Sequence, residues 1–259
     1  MDYQSIRNEL EREGMVLYPF PKSILQMMTN EIETYFKQYS LQKSANELAT
    51  LQESIFKMED DKFVTEFSKP NRNFREQVGN AVSSWAREEF SKLFEGKHAG
   101  INCLCEWEVE GLDYPYKDSL SVYWRCVRPN KASDVGAPHR DSTFWTLPNM
   151  EDYDPRLPFE YKRRWKVWLP IFGCNKNNSL NLVPNSHKDE VPIKTKMTQF
   201  GERPTIDQSW LNANDENFIS PLDETMGQCI IFHDDMVHKG VLNTSKNLRV
   251  SAEFSVLTD

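Results

Sequence analysis

Arg249-Val250-Ser251-Ala252-Glu253-Phe254-Ser255-Val256 alternates polar and apolar side chains without a break. A period of two belongs to a half-buried strand, because successive side chains leave a pleated backbone on opposite sides. Working outward, short runs rich in β-branched and aromatic residues precede it at 101–109, 120–127, 165–172, 180–184, 229–232 and 236–238. The first hundred residues differ. A helical pattern runs to Gly14, a suitable left-handed stop, and a short apolar strand follows at 15–20. Behind Pro21 and Ser23, the residues Ile24, Met27, Met28, Ile32 and Phe36 recur at helical spacing to about Tyr39. Helical patterning continues over 44–94, interrupted at Pro70, with Ile55, Phe56, Phe63, Phe67, Trp85 and Phe90 as expected anchors. Helices first and strands after predict a mainly β chain of the α+β class, a sandwich or barrel on an N-terminal helical layer. We expect one domain over 1–259, with 1–100 as helical support and 101–259 as the β core. Two long polar connections, 146–164 and 188–220, are expected to be lids, binding loops or partly disordered segments.

Composition narrows the class. A chain of 259 residues can bury a substantial core, and an aromatic share of 12 % argues against disorder. The formal charge of -8 disfavours a general nucleic-acid binder, which would carry a basic surface. No apolar run reaches membrane-spanning length, and the charged start MDYQSIRNELEREG lacks the apolar stretch of a secretory signal. Five scattered cysteines (103, 105, 126, 174 and 229) suit reduced thiols in a cytoplasm; Cys103 and Cys105, without a partner Cys/His pair nearby, are expected to pack rather than bind zinc.

Pro138-His139-Arg140-Asp141 sets an imidazole and a carboxylate two residues apart, so on extended backbone both project to one face. Alone this pattern is common. A third ligand from another strand would complete a site, and His238, just after a late apolar run, is the candidate. Two histidines and one carboxylate on one face, with open positions opposite, are the ligand set of non-haem Fe(II) oxygenases. Arg249 follows after the turn-like Asn243-Thr244-Ser245-Lys246-Asn247, a length that returns the next strand to the histidine. Its guanidinium could meet a carboxylate through two parallel hydrogen bonds, or it could be a surface arginine.

Together, His139-x-Asp141, His238-x-Gly240-x-x-Asn243 and Arg249 resemble the 2-oxoglutarate-dependent Fe(II) oxygenases, in particular the phytanoyl-CoA dioxygenase-like superfamily. Three further stretches look similar: Glu11 to Tyr18 followed by a helix, Ser179-Leu180-Asn181-Leu182-Val183-Pro184-Asn185-Ser186-His187, and Gly227-Gln228-Cys229-Ile230-Ile231-Phe232. The resemblance implies a double-stranded β-helix, or jelly roll. It implies His139, Asp141 and His238 as iron ligands, Arg249 as partner of the distal carboxylate of 2-oxoglutarate, and hydroxylation of a substrate C–H with O2 as co-reactant. Trp168 stands where relatives present an aromatic near the cosubstrate, and Trp145 where several face the substrate; core packing is the other reading of each. Asn185 and Ser179 replace glycines of the family pattern, and asparagine tolerates a left-handed turn. Related halogenases lack the metal carboxylate, so Asp141 argues for hydroxylation. A cupin-like metal-binding jelly roll, with no need for Arg249 and no use of 2-oxoglutarate, is the alternative.

The remaining polar residues receive plainer expectations. His233 is a less well-spaced ligand than His238, Asp234 and Asp235 should be solvated turn residues, and His187 should be structural. His98 should lie on a surface loop, and Arg140 should point away from the ligands into an ion pair. The run Lys162-Arg163-Arg164 is a solvated face or an attractor of anions. The long loops, with Trp145, Tyr153, Tyr161, Arg163 and Trp210, suggest a polar small-molecule substrate: a sugar, a sugar nucleotide or an amino-acid derivative.

Overall fold

The computed structural model describes residues 1–39, 52–53, 55–63, 72–95, 98–102, 123–145, 163–198, 201–223 and 227–258. Helix α1 (Tyr3–Glu13) opens on Asp2, whose side chain accepts from the Ser5 N–H at 3.1 Å, and closes on Gly14 at φ 78°. Only glycine fits that stop. A Cβ there would overlap His187 Nδ1 and Met236 Sδ, so the end of α1 lies directly against these two side chains. Strand β1 (Met15–Pro19) follows, then α2 (Lys22–Tyr39) and the long α3 (Arg72–Leu93). Of the anchors expected between them, Ile55, Phe63 and Phe90 are buried, Phe56 and Trp85 pack partly buried against the same core, and Phe67 lies outside the described residues.

Nine further strands follow among the described residues: β2 (His98–Asn102), β3 (Tyr123–Val127), β4 (Arg163–Phe172), β5 (Leu180–Leu182), β6 (Ile193–Thr198), β7 (Gly201–Ile206), β8 (Gln228–His233), β9 (His238–Gly240) and β10 (Arg249–Thr258). The main sheet has the order β1-β8-β4-β10-β2, with β3 also paired to β10, and every pairing is antiparallel. A second, smaller sheet joins β5 to β9, with Leu182 opposite His238. Period-two geometry sorts the side chains of the main sheet into two cores. Val167, Leu169, Ile231, Val250, Ala252 and Phe254 face the helices, where Leu10, Met28, Ile32, Phe36 and Phe90 meet them. Trp168, Ile230 and Phe232 face the other way and pack on Leu180 and Leu182 of the small sheet. At roughly 25 cal/mol per Å2 of apolar surface removed from water, this two-sided burial dominates the stability of the sheet. Lys166, Glu253 and Arg249 share that second side, which is the side of the site.

Several expectations shift. The strand expected at 101–109 is His98–Asn102, so His98 stands on a strand opposite Thr258 and not in a loop, while 103–109, with Cys103 and Cys105, lie outside the described residues. The strand expected at 236–238 begins only at His238, because Asp234 and Asp235 turn the chain after β8. The expected loop 188–220 contains the hairpin β6–β7 and the short helix Gln208–Ala213. Its strands carry Lys194, Lys196 and Met197 exposed, so neither face shows an apolar stripe that sequence patterning could reveal. Of the connection 146–164, only Arg163 and Arg164 are described, and they already belong to β4. Cys126, Cys174 and Cys229 are free thiols; burial pushes Cys126 up to about 12 and Cys174 up to about 11, which leaves both protonated and unreactive. No helix among the described residues is long and apolar enough to cross a membrane.

Candidate metal centre

The segment carrying His139 leaves β3 under firm control. Arg128, 1 % exposed, donates from Nε and Nη2 to the two oxygens of Asp134 at 2.9 and 2.8 Å, and from Nη1 to Met58 O at 2.7 Å. This pins the turn after β3 to the helical layer. The chain then reaches His139, which exchanges two main-chain hydrogen bonds of 3.0 Å with His238 at the start of β9. The bridge brings the imidazole centroids to 4.2 Å. Asp141 follows just before the helical turn Ser142–Trp145, itself tied down by the Ser142 N–H to Asp234 O at 3.1 Å.

The hydrogen-bond roles of the rings can be deduced. His139 Nδ1 lies 2.7 Å from Ala137 O, and His238 Nδ1 lies 2.9 Å from Met236 O. A carbonyl only accepts, so each Nδ1 carries a proton and Nε2 is the ring nitrogen that each residue turns toward Asp141. His139 Nε2 is 3.5 Å from Asp141 Oδ1, and His238 Nε2 is 3.9 Å from Asp141 Oδ2. One ligand atom from each of the three residues fits within 4.8 Å of the others. Asp141 Oδ2 is buried with no hydrogen-bond partner among the described residues. Two imidazole nitrogens and a carboxylate in this proximity form a donor set that suits Fe(II).

The electrostatics agree with that reading. Burial, reinforced by His139, pushes the His238 imidazole down to about 3, which keeps it neutral. Burial would raise the Asp141 carboxyl, but the Lys166 ammonium and the two imidazoles outweigh it and hold the group below the ordinary carboxylate range. Burial would lower His139, and its hydrogen-bonding contact with Asp141 reverses the direction. Ionised carboxylate and neutral His238 are the forms that bind a metal.

A small open pocket adjoins these residues, walled by His139, His238, Trp168, Arg249, Arg125 and Glu253. Arg249, 2 % exposed, donates from Nη1 to Asn178 O at 2.6 Å and to Ser179 O and Val241 O at 3.2 Å. Its Nε has no hydrogen-bond partner among the described residues. Three carbonyls thus fix one arm of the guanidinium while another donor is left over, so the surface-arginine reading is replaced. Trp168 is both a cavity wall and a core residue, 4 % exposed and packed with Leu180 and Ile230. The Trp145 indole lies outside the described side chains.

Other sequence readings need correction. Arg140 does point away from the ligands, but its guanidinium donates to the main-chain oxygens of Ser186 and Asp189 and makes no ion pair within salt-bridge distance among the described residues. Asp234 is buried, not solvated: 7 % exposed, its carboxyl raised to about 7 by burial and by Asp235. His233 stacks edge-on against Trp165 at 5.2 Å and near His187 at 5.5 Å, away from His139. It forms a second His/Asp group with Asp234 and Asp235, but its Nδ1 already accepts the Asp235 N–H at 3.1 Å. Lys166, Arg125 and Glu253 were not anticipated. The alternation that places Arg249 and Trp168 on the site face places Glu253 and Lys166 there too, a signal that can be read only once that face is known to be covered.

A jelly-roll sheet pair with a His-x-Asp…His cluster at its mouth defines the class of non-haem iron enzymes. The chain belongs to the phytanoyl-CoA dioxygenase family, whose pattern matches residues 25–251. It is accordingly an Fe(II)- and 2-oxoglutarate-dependent dioxygenase that acts with O2 on a small molecule. Among solved structures, EctD from S. alaskensis, determined with 2-oxoglutarate and 5-hydroxyectoine, is 12 % identical at a TM-score of 0.54, covering 98 % of this chain and 75 % of that one. The non-heme monooxygenase ThoJ in its apo form is 13 % identical (TM-score 0.49, 97 % and 76 % covered). The non-heme alpha ketoglutarate dependent epimerase SnoN from nogalamycin biosynthesis is 12 % identical (TM-score 0.47, 99 % and 80 % covered). At such identities the EctD likeness speaks for the fold alone. Comparison with curated proteins gave no match.

Proposed function

We propose that His139, Asp141 and His238 hold Fe(II), that Arg249 receives the distal carboxylate of 2-oxoglutarate, and that the enzyme hydroxylates a C–H of a small polar metabolite. A sugar, a sugar nucleotide or an amino-acid derivative is the substrate class. One observation carries the reading: two imidazole nitrogens and the Asp141 carboxylate meet beside the cavity that Arg249 also lines. When bound, iron with 2-oxoglutarate and O2 supplies the oxidising chemistry. The chain supplies the geometry. Hydrogen bonds to Ala137 O and Met236 O hold the two rings in the ligating tautomer. The carbonyls of Asn178, Ser179 and Val241 orient Arg249 so that its fork can meet a planar carboxylate. Trp168, backed by Ile230 and Leu180, gives the cosubstrate a dry wall. The charged side chains Arg125 and Glu253 on the same cavity favour a polar substrate over an acyl chain. Trp145, directly after the His139–Asp141 segment, is proposed as a substrate contact. The uncrosslinked Cys126, Cys174 and Cys229 support a cytoplasmic location.

The test is anaerobic titration of metal-free protein with Fe(II) and then 2-oxoglutarate, following the weak visible charge-transfer band of the chelate. The band should appear, vanish in His139→Ala and need more 2-oxoglutarate in Arg249→Ala. Iron bound without the band would favour a cupin-like protein, and no iron bound would refute the triad.

A further inference from the structure

The ammonium beside Asp141 sits inside the fold. Alternation along β4 turns Lys166 and Trp168 to one side of the sheet, and alternation along β10 brings Arg249, Ser251 and Glu253 to the same side. Lys166 is only 1 % exposed, so its ammonium has left water almost completely, a loss that nearby anions must offset. Two carboxylates stand close. Asp141 Oδ2 is 3.5 Å from Lys166 Nζ, and Glu253 Oε1 is 3.7 Å from it. The first belongs to the candidate metal triad and the second to the cavity wall. The two oxygens of Asp141 are thereby divided: Oδ1 lies nearer His139, and Oδ2 lies between His238 and Lys166.

We propose that Lys166 is a positioning residue that couples the triad to the cavity wall: it holds Asp141 in one orientation toward the metal and transmits the state of Glu253 to that carboxylate. The proposal rests on the triad reading. Partners that orient ligating groups in this way characteristically control metal affinity without touching the metal. Lys166 has a further consequence, because Glu253 is 22 % exposed on the cavity side and can meet a polar group of the substrate. A change at Glu253 alters how much of the Lys166 charge remains for Asp141. Occupancy of the substrate wall would then be felt at the metal through a single buried ammonium.

Co(II) alone is the probe, because its visible absorption reports the number and arrangement of ligands without any turnover. Lys166→Met, Lys166→Arg, Glu253→Gln and the double variant Lys166→Met/Glu253→Gln are titrated beside the unmodified protein, with thermal unfolding of each metal-free protein as the check on folding. Lys166→Met should weaken Co(II) binding by about 10–100-fold and alter the spectrum, and Lys166→Arg should recover most of both. Glu253→Gln should shift the spectrum when Lys166 is present and leave it unchanged when Lys166→Met is already made, the signature of coupling through one residue. A purely structural lysine would lower the melting temperature and leave the spectrum of the folded fraction alone; that result overturns the proposal. So does an equal effect of Glu253→Gln in both backgrounds. If Lys166→Met does not fold, the spectra of Glu253→Gln and Lys166→Arg decide: a shift in the first and none in the second supports the coupling, and any other pattern overturns it. Failure of the unmodified protein to bind Co(II) would instead refute the triad beneath it.

Discussion

Asn243 occupies the turn between β9, which begins with His238, and β10, which begins with Arg249, and is fully buried. Its Nδ2 donates to Val127 O at 3.1 Å and to Asn247 O at 2.7 Å. Its Oδ1 accepts from Asn178 Nδ2 at 3.1 Å, from the Ser245 N–H at 3.2 Å and from Ser245 Oγ at 2.7 Å. Asn243→Ala removes all of these together. Asn247 is exposed and Ser245 partly so, and water can replace their lost partner at little cost. Val127 and Asn178 are buried, and each polar group stranded there costs about 1–3 kcal/mol. Asn243→Ala should therefore destabilise the protein by about 2–5 kcal/mol. Because Asn178 O is also the closest anchor of Arg249, 2-oxoglutarate binding should weaken in the same variant. Urea unfolding of the metal-free protein measures the first effect, with exposed Thr244→Ala as the control expected to change nothing. A loss under about 1 kcal/mol would refute the claim that this side chain locks the turn.

Gly173 has φ 66°, and a Cβ there would overlap Leu248 O, a main-chain atom that cannot swing aside; Gly173→Ala should cost on the order of 2 kcal/mol or more in the same unfolding assay. Arg249→Lys keeps a charge but loses the planar fork, so 2-oxoglutarate affinity should fall about 10–100-fold by calorimetry while Fe(II) binding persists. Asp234 titrates near 7 in the folded protein against an ordinary 3.8, so the native state holds its proton more tightly and loses stability as pH rises through that window. Asp234→Asn should match the unmodified protein near pH 4 and exceed it at pH 8 by up to on the order of 4 kcal/mol; equal pH profiles from thermal unfolding would refute this.

What the sequence revealed and what it hid follow from one geometric fact. The alternation at 249–256 announced β10 because Val250, Ala252, Phe254 and Val256 all meet the helical layer. The same pattern invites the inference that Ser251, Glu253 and Ser255 meet solvent, and here it misleads. Ser251 and Ser255 are 1 % exposed, and Glu253 lines the cavity. The far side of the sheet is covered by the small β5–β9 sheet, built from just three residues per strand and nearly silent in any periodicity count. Lys166 was hidden for the same reason: a lysine beside Val167 and Trp168 reads as the polar tooth of a strand, yet its charge stands between two carboxylates. Asp234 misread in a different way. His233-Asp234-Asp235 has the composition of a solvated turn, but the Asp234 backbone bonds Arg164 O and Ser142 N, which fastens the turn beneath the His139–Asp141 segment and draws its carboxyl inside. The ligand candidates rest on residue type and spacing, not on burial. Where a candidate site lies between two sheets, the polar side of an alternating strand is where chemistry should be sought first, and Lys166 and Glu253 are the residues on which that rule can be tested.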